Sequence, residues 1–251
     1  MGNPQLINGV ASPQHNMQTS LIQYHRLGTR GVLDDRSYRY ARLTNATGVV
    51  ANNLCQSAIP EPLHVSETGA STFVIGSTRV TLVLGAAAAA ANRYEDGYVK
   101  IQNSTTGLGQ MFKLKAHEAV ASAGTGTFEL YDPILITPSG TVTWSLIENL
   151  WGNIIITPVT TITAPIVGVP NVVIPGATAV APVFCWLQTW GLCSVLADAS
   201  AMVTNAAVIP SATVGAVGVA LETDIKQRIG IAAETLTASA QYITVDLKIA
   251  P

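Results

Sequence analysis

The side chains of this sequence that could do chemistry are few: four histidines (His15, His25, His64, His117), three cysteines (Cys55, Cys185, Cys193) and carboxylates that could serve as a pair at Glu129 and Asp132. Zinc sites draw their ligands in closely spaced pairs, and none of these histidines or cysteines has such a neighbour. Paired carboxylates are the machinery of glycoside hydrolysis, but Glu129 and Asp132 fall on a strand end and the turn after it, where acidic residues more often serve structure. A hydrolase elbow needs a serine flanked by glycines, and a phosphate loop needs Gly-Lys-Ser or Gly-Lys-Thr. Neither pattern occurs, and Gly107-Leu108-Gly109 lacks the third glycine of a dinucleotide loop. The sequence therefore assigns no catalytic, cofactor-binding or metal-ligating residue, and the expectation is a protein that is not an enzyme. His117 reads as a surface residue beside Glu118. An odd cysteine count argues against a disulfide framework and for buried free thiols, although Cys185 and Cys193 could face each other across a hairpin.

The elements that would position these residues are read from composition and pattern. The chain has 251 residues, enough to bury a core without staples, yet only 11% are charged, against about 25% in ordinary soluble domains. Charge keeps exposed faces and strand edges apart, so a surface this neutral points to a subunit of an assembly. The formal net charge of −2 offers no basic face for nucleic acid. From Asn149 to Ala197 there is no Asp, Glu, Lys or Arg, but Pro158, Pro165, Pro170, Pro175 and Pro182 break the stretch and exclude a membrane helix. Its β-branched runs, such as Ile154-Ile155-Ile156 and Val172-Val173-Ile174, favour short strands with proline at edges and turns. Met1 to Ser20 lacks the basic start and apolar run of a secretory signal, so synthesis and storage in the cytoplasm are expected.

Residues 1–28 are polar and irregular and read as an extended arm that lies on a neighbouring subunit, removable without loss of the fold. Short β patterns then recur between turn signals at Asp34-Asp35, Gly76, Asp96-Gly97, Gly124-Thr125-Gly126 and Pro138-Ser139-Gly140. Arg36, Arg39 and Arg42 follow Asp34 and Asp35, which favours a salt-bridged strand face over a phosphate site. Ala86 to Ala91 has helix propensity but is far shorter than the ~12–15 residues that marginal helicity requires, so it is a packed turn or a thin strand. In Phe184 to Gly191, an extended backbone puts Trp186, Gln188 and Trp190 on one face, either core or partner contact. The clearest strand is Tyr242 to Ile249, with Ile243, Val245, Leu247 and Ile249 inward. The resulting class is all-β, an antiparallel sandwich or barrel in two β-rich lobes: an arm at 1–28, a domain at 29–150 and a second at 151–251, separate or in one compact unit with the first.

Three segments carry a family resemblance: Ala91-Asn92-Arg93-Tyr94-Glu95-Asp96-Gly97-Tyr98, Leu130-Tyr131-Asp132-Pro133-Ile134, and Trp186-Leu187-Gln188-Thr189-Trp190-Gly191 with Val195-Leu196-Ala197-Asp198. In these the chain resembles the head decoration, or cement, proteins of tailed bacteriophages, loosely from Gly28 to the C-terminus. The resemblance implies a structural virion protein on the capsid surface that bridges major capsid subunits. It would act as a trimer or another rotational oligomer, with no cofactor, nucleic acid, membrane or small-molecule substrate. The alternative is a tail or head-fibre component that contacts the host surface. Cys193 and the segment from Pro158 to Pro182 depart from the family pattern.

Overall fold

The computed structural model describes residues 18–158, 162–221, 223–237 and 241–251, together with the backbone of Ile7–Asn8. Among these residues the regular structure is β-strand, apart from one short 3-10 turn at Pro62–His64, as the all-β reading requires. No helix among them is long and apolar enough to cross a membrane. The chain divides into two compact units, Met1–Ala58 with Asn153–Pro251, and Ile59–Gly152. This corrects the division into successive domains at 29–150 and 151–251, because residues 29–58 belong with the C-terminal part.

The discontinuous unit contains β1 (Ile7–Asn8), β2 (Arg30–Leu33), β3 (Arg36–Leu43) and β4 (Cys55–Ser57). After the second unit it resumes with β11 (Ile154–Ile156), β12 (Ile166–Pro170), β13 (Val183–Leu196), β14 (Ala207–Pro210), β15 (Val217–Val219), β16 (Gly230–Ala232) and β17 (Tyr242–Lys248). The sheet runs β1-β2-β3-β13-β17-β16-β14-β15, and β12, β4 and β11 extend it from β13. The long strand β13 is its spine. Its first half pairs with β3, its second half with β17, and Trp190 stands opposite both Ser37 and Lys248.

A strand that changes partners must bend, and the register shifts between Gln188 and Trp190. Gly191 follows with φ +81°, and a Cβ there would stand 2.7 Å from the Asp35 carbonyl oxygen. The buried Gln188 amide donates to the carbonyls of Trp190 and Leu192 at 3.2 and 2.8 Å, satisfying groups that the bend takes out of the ladder. Ile243, Val245 and Leu247 of β17 point inward as expected, onto a core that includes Leu54, Val195, Val208 and Ile229. The prolines lie where a missing N–H is tolerated: Pro170 ends β12, and the Pro165 carbonyl accepts from Ser57.

Part of the 1–28 arm is built into this unit. Ile7–Asn8 pairs in parallel with Gly31 and Val32, Ser20 exchanges hydrogen bonds of 2.9 and 2.8 Å with Phe184, and Leu27 is buried with Tyr38 and Trp186. Residues 7–8 and 18–28 thus make contacts within their own unit, where the expectation was an arm lying on a neighbouring subunit. Residues 1–6 and 9–17, with His15, lie outside the described residues.

The second unit contains β5 (Ser71–Phe73), β6 (Arg79–Val83), β7 (Tyr98–Asn103), β8 (Met111–His117), β9 (Thr125–Leu130) and β10 (Thr143–Ile147). They form an antiparallel sheet in the order β10-β7-β8-β9-β6-β5. Just ahead of β5, Glu67 exchanges N–H···O bonds of 2.8 and 3.0 Å with Trp144 of β10, joining the two edges into a barrel. Alternating residues fill it, among them Val80, Leu82, Val99, Ile101, Leu114, Phe128 and Trp144. The alanine run is neither helix nor strand: Ala89 is buried and bridges Val120, while the Ala86 and Ala87 carbonyls accept from Ser122 and His64.

Candidate binding surfaces

On the discontinuous unit, β3 and the first half of β13 bring Tyr38, Tyr40, Phe184 and Trp186 into one cluster. Tyr40 and Phe184 are stacked with centroids 5.9 Å apart, and the Trp186 ring meets Tyr40 edge-on at 5.1 Å. His25 covers both, 5.2 Å from Tyr40 and 5.4 Å from Trp186, and burial lowers its pKa. Above this floor is a trough of about 500 Å³, walled by Gln18, Thr19, Ser20 and the exposed Tyr24. Among the described residues no Asp, Glu, Lys or Arg side chain lines it. Trp186 and Gln188, two of the three residues expected on one face, are thus interior: one closes the floor and the other holds the bend. Trp190 stays half-exposed, with the Lys248 ammonium 4.1 Å from its ring centroid.

In the barrel, Tyr94 is buried between two histidines. Its hydroxyl donates to His64 Nδ1, since His64 Nε2 lies 3.0 Å from the Ala87 carbonyl and must carry the proton. Its backbone N–H donates to His117 Nε2 at 3.1 Å, while His117 Nδ1–H donates to the Glu118 carbonyl at 2.7 Å. Every ring nitrogen of the pair has a partner in this network. His117 is 5% exposed, which corrects its reading as a surface residue. The Arg93 guanidinium stands 5.5 Å from the Tyr94 ring centroid and contacts Glu148 at 2.7 Å and Glu61 at 3.6 Å. Burial pushes the Tyr94 phenol well above its ordinary range. This arrangement holds the 92–97 turn to β8. Sequence offered no sign of it, because His64, Tyr94 and His117 are far apart and share no motif.

The carboxylate pair is not assembled for hydrolysis. Glu129 pairs with Arg79 at 3.0 Å and Lys115 at 3.7 Å beside a polar depression of about 490 Å³, whereas Asp132 lines a different depression with Met111 and Leu135. Among the described residues no group of three His, Cys, Asp or Glu side chains could hold a metal. All three cysteines are buried free thiols. Cys185 and Cys193 both lie on β13, roughly 25 Å apart at strand spacing, so a hairpin disulfide is ruled out. Burial pushes both thiols up to about 12 and Cys55 well above its ordinary value. The basic run of β3 also differs from expectation. Arg36 approaches Asp35 at 3.9 Å, but Arg39 donates to the carbonyls of Gly28 and Pro251 at 3.2 and 2.8 Å.

Large apolar side chains are exposed on the barrel, most of all Ile75, Leu108 and Leu135. Such side chains on a chain poor in charge are suited to being covered by protein. Comparison of the chain with protein-family models, with curated proteins and with solved structures finds no match.

Proposed function

We propose that the protein is a structural, non-enzymatic virion component that decorates the outer surface of a tailed-phage capsid and stabilises the shell by bridging major capsid subunits. The observation that carries this reading is an all-β chain, 11% charged, that exposes Ile75, Leu108 and Leu135. Such a surface gains by being covered, and a subunit that binds the assembled shell better than its dissociated parts stabilises that shell by mass action. The family resemblance of Ala91–Tyr98, Leu130–Ile134 and Trp186–Asp198 points the same way. The protein is made in the host cytoplasm and resides on the capsid. Quantitative mass spectrometry of purified virions tests the proposal: a ratio to the major capsid subunit near one, or a simple fraction such as a third, is expected, and absence from virions overturns it.

The second reading, a tail or head-fibre component that contacts the host surface, is favoured by the trough under Tyr24 and His25. Its aromatic floor and uncharged Gln18, Thr19 and Ser20 wall suit the apolar face and hydroxyls of a sugar ring. A handful of copies per virion would select this reading.

A further inference from the structure

Two polar side chains of the trough on the discontinuous unit are used in building it. The Ser20 hydroxyl donates to the Ile22 carbonyl at 2.9 Å and accepts the Ile22 N–H at 3.0 Å. The Tyr40 hydroxyl accepts the Tyr24 N–H at 3.1 Å and donates to the Ile22 carbonyl at 3.4 Å. With the Ser20–Phe184 bridge, these bonds fasten residues 20–24 beside β3 and β13. The wall is therefore formed before any ligand arrives, which lowers the ordering cost of binding. The other polar side chains of the lining are unused: among the described residues, those of Gln18, Thr19, Tyr24, His25 and Trp186 make no hydrogen bond.

Trp186 is the member that points to a ligand. It is only 7% exposed, and an indole N–H this far inside a protein ordinarily has a hydrogen-bond partner. Trp186 lines the trough, so an oxygen of whatever fills the trough is what can meet its N–H. The His25 imidazole, 5.2 Å from Tyr40 and 5.4 Å from Trp186, adds a second ring without a polar partner to the same lining. At about 500 Å³ the trough falls within the ~300–1,000 Å³ of small-molecule sites.

We infer, resting on the sugar reading of the trough given above, that it takes an uncharged pyranose ring and refuses acidic sugars. The Trp186 indole N–H and the His25 ring hydrogen-bond its hydroxyls, and the exposed Tyr24 packs on its apolar face. Each feature removes a competing class of ligand. A purely apolar chain would cover the indole N–H and the imidazole and leave both without partners. A carboxylated or phosphorylated ligand would lose its hydration in a lining with no Lys or Arg among the described residues; Arg42, two residues along β3 from Tyr40, is not part of it. A neutral sugar presents C–H bonds to aromatic rings and oxygens at its rim, which is the pairing this lining offers.

Saturation-transfer NMR of the full chain tests this with methyl glucoside, methyl galactoside, methyl mannoside, N-acetylglucosamine and glucuronic acid, each over about 0.1–50 mM. At least one neutral sugar is expected to bind, with glucuronic acid at least tenfold weaker. Tyr24→Ala, at a 68% exposed position, and Trp186→Phe, which keeps an aromatic ring and removes the N–H, should each weaken binding about threefold or more while far-UV circular dichroism stays unchanged. Tyr242→Ala, at an exposed position of β17 outside the trough, should leave binding as it is. Transfer to none of the neutral sugars, equal binding of glucuronic acid, or binding indifferent to both trough substitutions overturns the inference. Copy number in virions stays a separate test of the fibre reading. Neutral-sugar binding by a protein as abundant as the capsid subunit would remove the fibre and keep the trough assignment, and a low-copy protein that binds no sugar would do the reverse.

Discussion

In the barrel, neighbouring strands come from one continuous stretch, 59–152, and one exchange of hydrogen bonds between Glu67 and Trp144 closes the sheet. In the other unit Leu43 pairs with Val183 and Ser37 with Trp190, so the sheet forms only when distant parts of the chain meet. The two units also spend their polar groups differently. The barrel secures a turn with side chains, through Tyr94 between His64 and His117. The discontinuous unit secures a bent strand with a backbone conformation, Gly191 at φ +81°, and one side chain, the Gln188 amide donating to the carbonyls beside it. A sheet assembled from remote strands has its weak point at the spine they share. The contiguous barrel draws its strand pairs from one stretch of chain, so its contacts are more local.

If this contrast is right, damage to β13 or β17 should fall on one unit and damage to the Tyr94 network on the other. The largest effect is expected for Val245→Asp, which buries a carboxylate in the core of the discontinuous unit and should cost more than ~3 kcal/mol. Urea unfolding should show that unit lost first, and a loss below 1 kcal/mol on the same scale would break the comparison. Gly191→Val comes next, combining a positive φ with a Cβ 2.7 Å from the Asp35 carbonyl oxygen, for roughly 3 kcal/mol. Hydrogen exchange should then rise along β3, β13 and β17. Equal exchange in both units would mean that the bend is not the weak point.

Tyr94→Phe removes the donor to His64 Nδ1 and leaves a buried acceptor unmet, at about 1–3 kcal/mol. Its signature is faster exchange in β7 and β8 with β17 unaffected. The smallest effect is expected from pH. Burial lowers the His25 pKa, so above its ordinary value of 6.5 the imidazole is neutral in both folded and unfolded chains and contributes no pH dependence. As pH falls below 6.5 the unfolded chain takes up a proton that the folded trough resists, and stability declines. Thermal unfolding of wild type and His25→Gln between pH 7.5 and 5 should diverge only on the acid side. Parallel curves would detach His25 from the trough's stability.

Much of the architecture was legible in the chain. The alternation of Ile243, Val245 and Leu247 identified a strand with one wet face, because a pleated strand alternates its side chains between core and solvent. The turn at Asp96-Gly97 was marked by residue types that accept it: Asp96 has φ +57°, and a Cβ on Gly97 would stand 2.3 Å from the Ile147 carbonyl oxygen. The reading of His117 as a surface residue came from its acidic neighbour. Yet Glu118 contributes its backbone carbonyl rather than its charge, and what buries the ring is Tyr94 and Phe128. The trough was half visible, since the aromatic run at Phe184 to Trp190 stood out. Tyr38, Tyr40 and His25 join it only through the register of β3 on β13.

By itself the sequence determined the all-β class, the low charge and the inward face of the last strand, because period, composition and turn chemistry act on neighbouring residues. Only the tertiary structure decided that residues 29–58 join the C-terminal half, that Cys185 and Cys193 share one strand and that Tyr94 links two histidines. Each of these depends on the pairing of segments far apart in the chain. Such pairing is settled by which distant faces bury each other, a quantity that no local pattern carries.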